Sequence, residues 1–463
     1  MSSQEKQNKI CQNCKVSFEI APEDFEFYTK IKVPPPTFCS RCRAVRRFLF
    51  RNDKVLYKRK CQVPGHTEDV ISTYSPDSKH TVYDLEYWWS DGWDPKSYAK
   101  DYDFKRPFFE QWHVLFLEVP HTNVWCYGLN NSPYTNYCGN GETIYLCAGV
   151  FDSKNCSYSY YGNDNELVYD SYNMNESEES YELINSSKIF KSTFVLGSRE
   201  VFSSHYIFDC VNCQNCFMSS NLRNKNYVFR NKQLSKEEYM EQIKKINRGN
   251  RAEADIFLDE YKNLILNSIH KYADIKQSTN STGDGIASSV NAKNSFVAYN
   301  CENIANTWRT MGLKDSREIS GLGYSEQCYE AVVSGVNNAG ERFTMFMGTN
   351  NDVEYSAYCF GSSHLFGCVG LKKSEYCIFN KQYDKESYFK LRDEIIKHMM
   401  EFPYIDINGH TYSYGEFFPP SMSAFNFNES FAPDFYFVDE EEAKRKNYNI
   451  NKNSHAIYQE TCD

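Results

Sequence analysis

Two pairs of cysteines near the start of the chain, Cys11-x-x-Cys14 and Cys39-x-x-Cys42, have the residue types and the spacing of a zinc site. Each pair turns two thiolates toward one point, and two pairs supply the tetrahedral set of ligands that Zn²⁺ prefers. Four protein ligands leave no open coordination position. The sequence therefore predicts a structural Zn²⁺ held by these four cysteines, and it predicts no catalytic residue.

A basic segment follows the second cysteine pair directly. Residues 41–60 contain nine Lys and Arg side chains against Asp53 alone, although the whole chain has a net charge of -10. On such an acidic protein, any contact with nucleic acid has to be local. The predicted nucleic-acid-binding residues are Arg41, Arg43, Arg46, Arg47, Arg51, Lys58, Arg59 and Lys60. The alternative is a helix face that docks on the acidic body of the same protein.

The elements that position the cysteines can be read from the residues between and after them. Alternation of Val16, Phe18 and Ile20 predicts a short hairpin strand, and three consecutive prolines impose an extended approach to the second pair. Residues 43–50 have helical spacing. This order describes a treble-clef zinc module over residues 1–52, whose first ten residues are polar and are predicted to be frayed.

The run CQNCKVSFEIAPEDFEFYTKIKVPPPTFCSRCRAVRR resembles the probable zinc-ribbon family of treble-clef proteins. The segments LYKRKC, YSPD, YWWSDGWDP, DFKRPFFEQ and YGEFFPPSMSAFNFNE are similar to zinc-ribbon proteins frequent in candidate-phyla bacterial genomes. The resemblance implies a zinc module joined to a β-solenoid. Some of those proteins carry a CaiB/BaiF CoA-transferase label, and no residue pattern in this chain supports that chemistry.

Tryptophan and acidic residues are concentrated between residues 53 and 120. They are Trp88, Trp89, Trp93 and Trp112, with Asp84, Glu86, Asp91, Asp94, Asp101 and Asp103. Paired carboxylates beside aromatic platforms occur in glycosidases, which makes a carbohydrate-active enzyme one interpretation. Turn signals such as Ser90-Asp-Gly account for several of the aspartates, and they favour a connector or an aromatic cap over the open end of the next domain.

Short aromatic segments separated by Asn, Ser, Cys and Gly begin near residue 121. Tyr169, Glu182, Phe194, Tyr206 and Phe217 recur at nearly equal intervals. Strands at this spacing, without Asn-Gly hairpin signals, indicate a coil that keeps advancing, with two segments in a turn of about 23 residues. The predicted fold class is mainly β, with the treble-clef module followed by a duplicated parallel β-helix, or solenoid, with helical insertions.

The coil pattern repeats on a larger scale. Residues 221–246 align without gaps onto residues 370–395 at an offset of 149, and each copy leads into a helix start at Ser235 or Asp384. This indicates an internal duplication. The predicted divisions are the zinc module 1–52, the cap or connector 53–120, β-solenoid half 1 at 121–234, a helical insertion 235–275, half 2 at 276–383, a helix 384–402 and an extended C-terminal segment 403–463. The last twenty residues are predicted to be mobile.

The other cysteines have a simpler interpretation than metal binding. Cys210, Cys213 and Cys216 have a spacing that suits a metal or thiol exchange, but only one cysteine is kept at the positions aligned with them. Stacking inside the coil as small apolar side chains is therefore favoured. Eighteen cysteines in a large chain without a signal-peptide pattern predict reduced thiols in a cytoplasmic protein that does not enter a membrane.

Enzyme activity is uncertain and less favoured than binding, because the chain has no Walker, Gly-x-Ser-x-Gly or zincin pattern. The predicted function is a zinc-stabilised binding or scaffold protein that contacts RNA, a ribonucleoprotein or DNA through the basic segment, with protein partners also possible. The alternatives are a β-helix enzyme acting on carbohydrate through carboxylates and a purely structural assembly protein.

Overall fold

The computed structural model of the chain describes residues 6–247, 249–333, 335–436 and 438–452. It divides into two units, Met1–Asn123 with Ala273–Asp463, and Val124–Tyr272. Within the described residues, each helix is too short or too polar to cross a membrane. The prediction of a mobile C-terminus falls largely on residues 453–463, which lie outside the described residues.

The N-terminal part of the first unit combines short strands with helices. Its strands are β1 (Gln7–Ile10), β2 (Ser17–Ile20), β3 (Tyr57–Lys60), β4 (Asp69–Ser72), β5 (Val82–Tyr83) and β6 (His121–Thr122). Its helices are α1 (Pro22–Lys30), α2 (Ser40–Leu49), α3 (Leu85–Trp89) and α4 (Phe108–Glu118). β1 with β2 and β3 with β4 form antiparallel hairpins, and β5 pairs with β6 in parallel. The first residues of the chain were predicted to be frayed, so β1 is a correction.

The second unit is a coil of short strands followed by two helices, and it is called the first coil below. Its strands are β7 (Cys126–Tyr127), β8 (Cys138–Gly139), β9 (Ala148–Phe151), β10 (Tyr160–Asn163), β11 (Glu166–Tyr169), β12 (Tyr172–Asn175), β13 (Glu178–Phe190), β14 (Thr193–Leu196), β15 (Arg199–Phe202), β16 (His205–Phe208), β17 (Val211–Ser220), β18 (Arg223–Phe229) and β19 (Lys232–Gln233). Its helices are α5 (Lys236–Lys244) and α6 (Arg251–Leu266).

The rest of the first unit contains the second coil and a C-terminal segment. The strands of the second coil are β20 (Ile275–Lys276), β21 (Gly283–Ala287), β22 (Val290–Lys293), β23 (Ser295–Tyr299), β24 (Glu302–Ala305), β25 (Trp308–Met311), β26 (Lys314–Gly323), β27 (Tyr329–Val332), β28 (Ala339–Met345), β29 (Asn351–Glu354), β30 (Ser363–Phe366), β31 (Glu375–Ile378) and β32 (Lys381–Gln382). The elements that follow are α7 (Lys385–Glu401), β33 (Tyr404–Ile405), β34 (Thr411–Tyr412), α8 (Ala432–Tyr436) and α9 (Glu440–Arg445).

Both coils are parallel β-solenoids, which confirms the predicted fold class. Parallel pairing joins a residue to the one 12 positions later, as in Tyr160 with Tyr172. One complete turn is therefore about half as long as predicted, and the predicted turn length was wrong. From Tyr134 to Arg230 every third residue has a positive φ, so the chain bends after each three-residue side. Four such sides make one turn.

The amino-acid composition of the coils follows from this period of three. Left-handed φ is costly for most residues, and after glycine Asn and Asp tolerate it best, which explains the abundance of asparagine at these positions. The residue after each bend points inward. One turn of the first coil thus buries Val168, Ser171, Met174 and Ser177, so small polar and apolar side chains share the interior.

Buried serines satisfy the backbone groups that this geometry turns inward. The Ser171 amide donates to Ser159 Oγ at 3.2 Å, and the Leu183 amide donates to Ser171 Oγ at 3.0 Å. Each of these hydroxyls therefore accepts a hydrogen bond from the backbone one turn later. A buried amide without a partner costs free energy, so these serines are part of the coil's stability.

The described cysteines of the coils are buried, as predicted, except for Cys126 at the start of the first coil, which is half-buried. Cys210, Cys213 and Cys216 occupy three successive inward positions, which explains their spacing, and each is at most 1 % exposed. Burial raises the pKa of Cys147 to about 12 and that of Cys377 to about 11. These side chains act as small apolar groups.

The coils end in the same way. Val228 pairs with Gln233 across β18 and β19, and Cys377 pairs with Gln382 across β31 and β32, both antiparallel. Ser235 then caps α5 in a capping box, and Asp384 caps α7. The shared offset of 149 between these pairs agrees with the sequence alignment, while duplication itself remains a prediction.

The C-terminal segment was predicted to be extended, and it is instead interrupted by the short helices α8 and α9. Its aromatic side chains are buried, as predicted for a segment that fills apolar grooves; they include Phe417, Phe418, Phe425, Phe427 and Phe431. Asn451 Nδ2 donates to Glu429 Oε1 at 2.6 Å, so the described part of the last twenty residues is held in place.

Candidate metal centre

The two predicted cysteine pairs lie in a hairpin loop and at a helix start. In the loop between β1 and β2, the Cys11 amide donates to Val16 O at 3.0 Å, and Lys15, at φ 60°, turns the chain back. Cys39 is the N-cap residue of α2, and Cys42 lies in the first turn of that helix. The hairpin and the helix thus bring two thiols each to one place.

The sulfur atoms of Cys11, Cys14, Cys39 and Cys42 lie within 4.8 Å of one another. The Cys39 amide donates to Cys11 Sγ at 3.3 Å, and Asn13 Nδ2 donates to Cys42 Sγ at 3.5 Å. Such N–H donors stabilise thiolates, which are the form that binds a metal ion. The donor set fits one tetrahedral metal ion of the kind that prefers sulfur.

The thiols of this cluster differ in pKa, because they form hydrogen bonds with one another. Hydrogen bonds from the Cys39 and Cys42 thiols lower the pKa of Cys11. Hydrogen bonding to Cys11 raises the pKa of Cys39 to about 11. Close thiols therefore hold protons between them, and a bound metal ion would take the place of those protons.

Helix α2 carries Arg43, Arg46 and Arg47 on one face, since residues three and four apart are neighbours on a helix. These side chains are between 1 % and 4 % exposed. Their ion pairs join Arg43 Nη2 to Glu318 Oε1 at 2.8 Å, Arg47 Nη2 to Glu318 Oε2 at 2.8 Å, Arg46 Nη2 to Glu330 Oε1 at 3.0 Å, and Arg46 Nη1 to Glu416 Oε2 at 3.1 Å. The helix that begins at the cysteines is thus anchored on β26 and β27 of the second coil.

The buried charges depend on one another. Burial alone would lower the pKa of Arg46. The carboxylates of Glu330 and Glu416 outweigh that effect, and the pKa of Arg46 is raised. Burial raises the pKa of Glu318, and Arg43 and Arg47 oppose that effect. Removing one partner from a buried ion pair costs about 3–5 kcal/mol because the other charge stays desolvated. The position of α2 is therefore strongly specified.

Most of the predicted nucleic-acid-binding residues are not at the surface. The buried ones are Arg43, Arg46, Arg47, Arg51 and Arg59. Arg51 contacts Asp53 through two hydrogen bonds of 2.7 Å, and Arg59 donates to Ser75 O at 3.0 Å. The exposed ones are Arg41, Lys58 and Lys60. The segment largely docks on its own protein, which is the alternative that the sequence left open, and nucleic-acid binding is not shown.

The tryptophan-rich region offers no sugar platform at its centre. Trp88 and Trp112 are fully buried. Asp84 accepts a hydrogen bond from the Tyr87 amide at 2.9 Å and so caps α3, which is the turn role expected for these aspartates. Trp89 packs against Phe360 with ring centroids 4.8 Å apart. The region lies on the side of the second coil and buries aromatic residues there.

One group of donor atoms was missed by the sequence analysis. Cys61, His66 and Asp84 place Sγ, a ring nitrogen and a carboxylate oxygen within 4.8 Å of one another. The spacing of Cys61 and His66 in one short loop was the available signal. Asp84 reaches them only through the tertiary fold, so no local pattern could have included it.

Comparison with known proteins assigns no family, since no family model and no curated protein matches the chain. The resemblance to zinc-ribbon proteins therefore rests on the segments quoted above. The function has to be argued from the geometry of the site.

Proposed function

We propose that this protein is a zinc-stabilised binding scaffold, in which a four-cysteine zinc module fixes α2 on the second coil. The observation that carries the proposal is the direct connection between the cluster and the buried ion pairs. Cys39 and Cys42 define the start of α2, and Arg43, Arg46 and Arg47 follow within its next turns. A metal ion that orders the helix start also orders the charges that dock it.

The chemistry of the donor set supports a structural role. Four thiolates complete a tetrahedral shell around Zn²⁺, so no position is left for a substrate or a water molecule. The cysteines of the described residues are all free thiols. So many free thiols in one chain support the proposal of a reducing, cytoplasmic location, because disulfides form and persist in oxidising compartments.

Zinc removal tests the scaffold proposal. We expect Cys14→Ser, or a chelator, to release zinc and to increase hydrogen exchange in α2, β26 and β27, while β13 to β17 of the first coil keep their protection. The matched control is Cys126→Ser, which changes a cysteine of the first coil. Unchanged exchange in α2 after complete loss of the metal would contradict the proposal. A measurement of oligomeric mass in the same samples distinguishes a binding scaffold from a self-assembling protein.

Nucleic-acid binding is the second candidate, and the exposed cations Arg41, Lys58 and Lys60 favour it. Arg41 Nη2 donates to Tyr436 O at 3.1 Å, and both lysines contact Asp69. Lys58 and Lys60 are 67 % and 71 % exposed, so phosphate can reach them. Single-stranded RNA and DNA are suitable probes, because the contact would be electrostatic and local.

The binding assay needs a variant that removes only the exposed cations. We expect affinity at low salt that falls steeply with added salt, and its loss in the triple variant Arg41→Glu, Lys58→Glu, Lys60→Glu. The charge-matched control replaces three exposed lysines of the first coil, Lys188, Lys191 and Lys225, by Glu. Equal affinity in both triple variants, or no affinity of the natural chain at low salt, would reject this candidate.

We also propose that the N-terminal module is a treble clef related to the zinc-ribbon proteins that the sequence resembles, and that the two coils arose by duplication. The order of hairpin, cysteine pair, second cysteine pair and helix supports the first statement. The matching ends of the coils support the second. An alignment of related chains would test both, because a duplication predicts that each half retains its own helix start.

A further inference from the structure

The loop between β3 and β4 holds a second set of donor atoms, away from the four-cysteine centre. Cys61 follows β3 directly, and its amide donates to Glu68 O at 3.2 Å across the base of the loop. The His66 amide donates to Val63 O at 3.0 Å, and Gly65 at φ 89° makes the tight bend possible. This bend returns the imidazole of His66 toward the thiol of Cys61.

A carboxylate from another element completes the group. Asp84 uses Oδ1 to accept the Tyr87 amide at the start of α3, which leaves Oδ2 for the loop. Asp84 Oδ2 lies 3.5 Å from Cys61 Sγ and 3.2 Å from His66 Nδ1. The distance from Cys61 Sγ to His66 Nδ1 is 3.6 Å. The position of the aspartate is thus set by its cap and does not depend on the loop alone.

A cysteine, a histidine and an aspartate also form catalytic triads, but the geometry here differs. In a triad, one ring nitrogen faces the nucleophile and the other faces the carboxylate that orients the ring. Here the same nitrogen, Nδ1 of His66, faces the sulfur of Cys61 and the carboxylate of Asp84, and it also lies 3.0 Å from Glu68 Oε1. Donors that converge on one point cannot relay a proton along a line, and they match the arrangement around a cation.

The environment also argues against a nucleophilic thiol. The Cys61 thiol is buried, and the carboxylate of Asp84 lies 3.5 Å from its sulfur. A reactive cysteine needs the opposite, an electropositive setting that stabilises its thiolate. A bound cation would supply that charge and would turn the thiol, the imidazole and the carboxylate into three compatible ligands.

We propose that Cys61, His66 and Asp84 bind a second Zn²⁺ ion, with three protein ligands and one open coordination position. Sulfur, nitrogen and oxygen donors together suit zinc, whereas magnesium and calcium take oxygen donors only. Cys61 is 6 % exposed, but His66 and Asp84 have side chains 33 % and 22 % exposed, so solvent reaches the open side. The site is therefore an exchangeable centre, unlike the closed four-cysteine cluster, and it goes beyond the scaffold function.

The test counts metal ions bound to the full chain. After loading with Zn²⁺ and removal of the excess, we expect two ions per chain in the natural protein and one in Cys61→Ser, His66→Ala and Asp84→Asn. Asp84→Asn is the most informative variant, because asparagine also caps helices and so preserves the start of α3 while removing the anionic ligand. Cys14→Ser should leave one ion, and the control Cys126→Ser should leave two.

Replacement of zinc by Co²⁺ gives a second readout that identifies the ligands. Absorption from sulfur-to-cobalt charge transfer should be about four times stronger for the four-cysteine site than for the loop site, since it scales with the number of thiolates. Cys61→Ser should abolish the weaker component and leave the stronger one intact. One metal ion in the natural protein, or two retained in both Cys61→Ser and Asp84→Asn, would overturn the proposal. Circular dichroism of each variant shows whether the fold is kept.

Discussion

One outer column has the same chemical order in both coils, an acid, an acid, Phe and Tyr on successive turns. The residues are Asp170, Glu182, Phe194 and Tyr206 in the first coil, and Glu318, Glu330, Phe343 and Tyr355 in the second. In the second coil, α2 buries both carboxylates against arginines. In the first coil Asp170 is exposed, and within the described residues neither acid forms an ion pair. The coil itself therefore does not require the acidic half of the column to be covered.

The aromatic half of the column is covered in both coils, by different segments. Tyr206 contacts Phe257 and Tyr261 of α6 with ring centroids 5.9 and 5.7 Å apart. Tyr355 contacts Phe108 of α4 at 5.2 Å. An apolar column can thus be covered by any neighbouring helix with an apolar face, whereas a pair of buried carboxylates needs a cationic partner at a specific position. The zinc module supplies that partner to the second coil alone.

The largest expected effect separates the two acidic pairs. Glu330 is fully buried and accepts from Arg46 at 3.0 Å, so Glu330→Gln should lower the free energy of unfolding of the first unit by about 3–5 kcal/mol. In the first coil, partial burial and the charge of Asp170 raise the pKa of Glu182. Glu182→Gln should change stability by less than about 0.5 kcal/mol.

Urea unfolding measures the stability of each variant, and hydrogen exchange shows which of the two units is affected. The expected result is faster exchange in α2 and β26 for Glu330→Gln and unchanged exchange in β13 for Glu182→Gln. Equal effects of the two substitutions would show that the arginine helix contributes nothing to the second coil, and the comparison would fail.

A smaller effect should appear as a dependence on pH in the first unit. His121 is fully buried, and burial lowers its pKa from 6.5 to about 4. Its Nε2–H donates to Phe116 O at 2.8 Å, so Nδ1 accepts from the Tyr74 hydroxyl at 3.0 Å. The unfolded chain takes up a proton below pH 6.5 and the folded chain does not until about pH 4. Stability should therefore fall as the pH drops through this window, by on the order of 3 kcal/mol.

Thermal unfolding between pH 7 and pH 4 measures this slope. His121→Gln can keep both hydrogen bonds without titrating, so its stability should depend less on pH than that of the natural protein. His205→Gln is the matched control in the first coil, where the histidine is half-buried beside Thr193. A slope that persists unchanged in His121→Gln would assign the pH dependence to other groups, the zinc thiolates among them.

The sequence predicted the coils better than it predicted their geometry. Aromatic residues recurring at nearly equal intervals revealed an advancing coil, but the predicted turn contained two of these intervals, because sides of three residues are shorter than ordinary strands. The inward period of three was visible in the spacing of Cys210, Cys213 and Cys216. It was hidden elsewhere because serine fills many of the inward positions, and a buried serine looks like a surface residue in sequence.

The candidate site also has a part that the sequence could predict and a part that it could not. The cysteine pairs were predictable because ligand spacing is local, and the structure brings them together as expected. The arginines of α2 were recognised as a basic face, but their partners Glu318 and Glu330 lie far along the chain and carry no local signal. A basic segment next to a zinc knuckle has the same appearance whether it serves a phosphate backbone or a carboxylate of its own protein.

The smallest expected effect tests whether the interiors of the two coils are equivalent. Ser192 Oγ accepts from the Ser204 amide at 3.1 Å in the first coil, and Ser316 Oγ accepts from the Cys328 amide at 3.1 Å in the second. Ser192→Ala and Ser316→Ala each leave one buried amide without its partner, so each should cost about 1–3 kcal/mol. Ser203→Ala, at a half-buried bend of the first coil, is the control and should cost much less.

Equal losses for the two buried serines would show that the inner walls contribute the same stability whether or not the outer column is covered. Urea unfolding of the three variants gives the values, and hydrogen exchange of the amides of Ser204 and Cys328 locates the effect. A clearly smaller loss for Ser316→Ala would mean that the helices and aromatic residues packed outside the second coil compensate for a weakened interior. The difference between the coils would then extend from their surfaces into their cores.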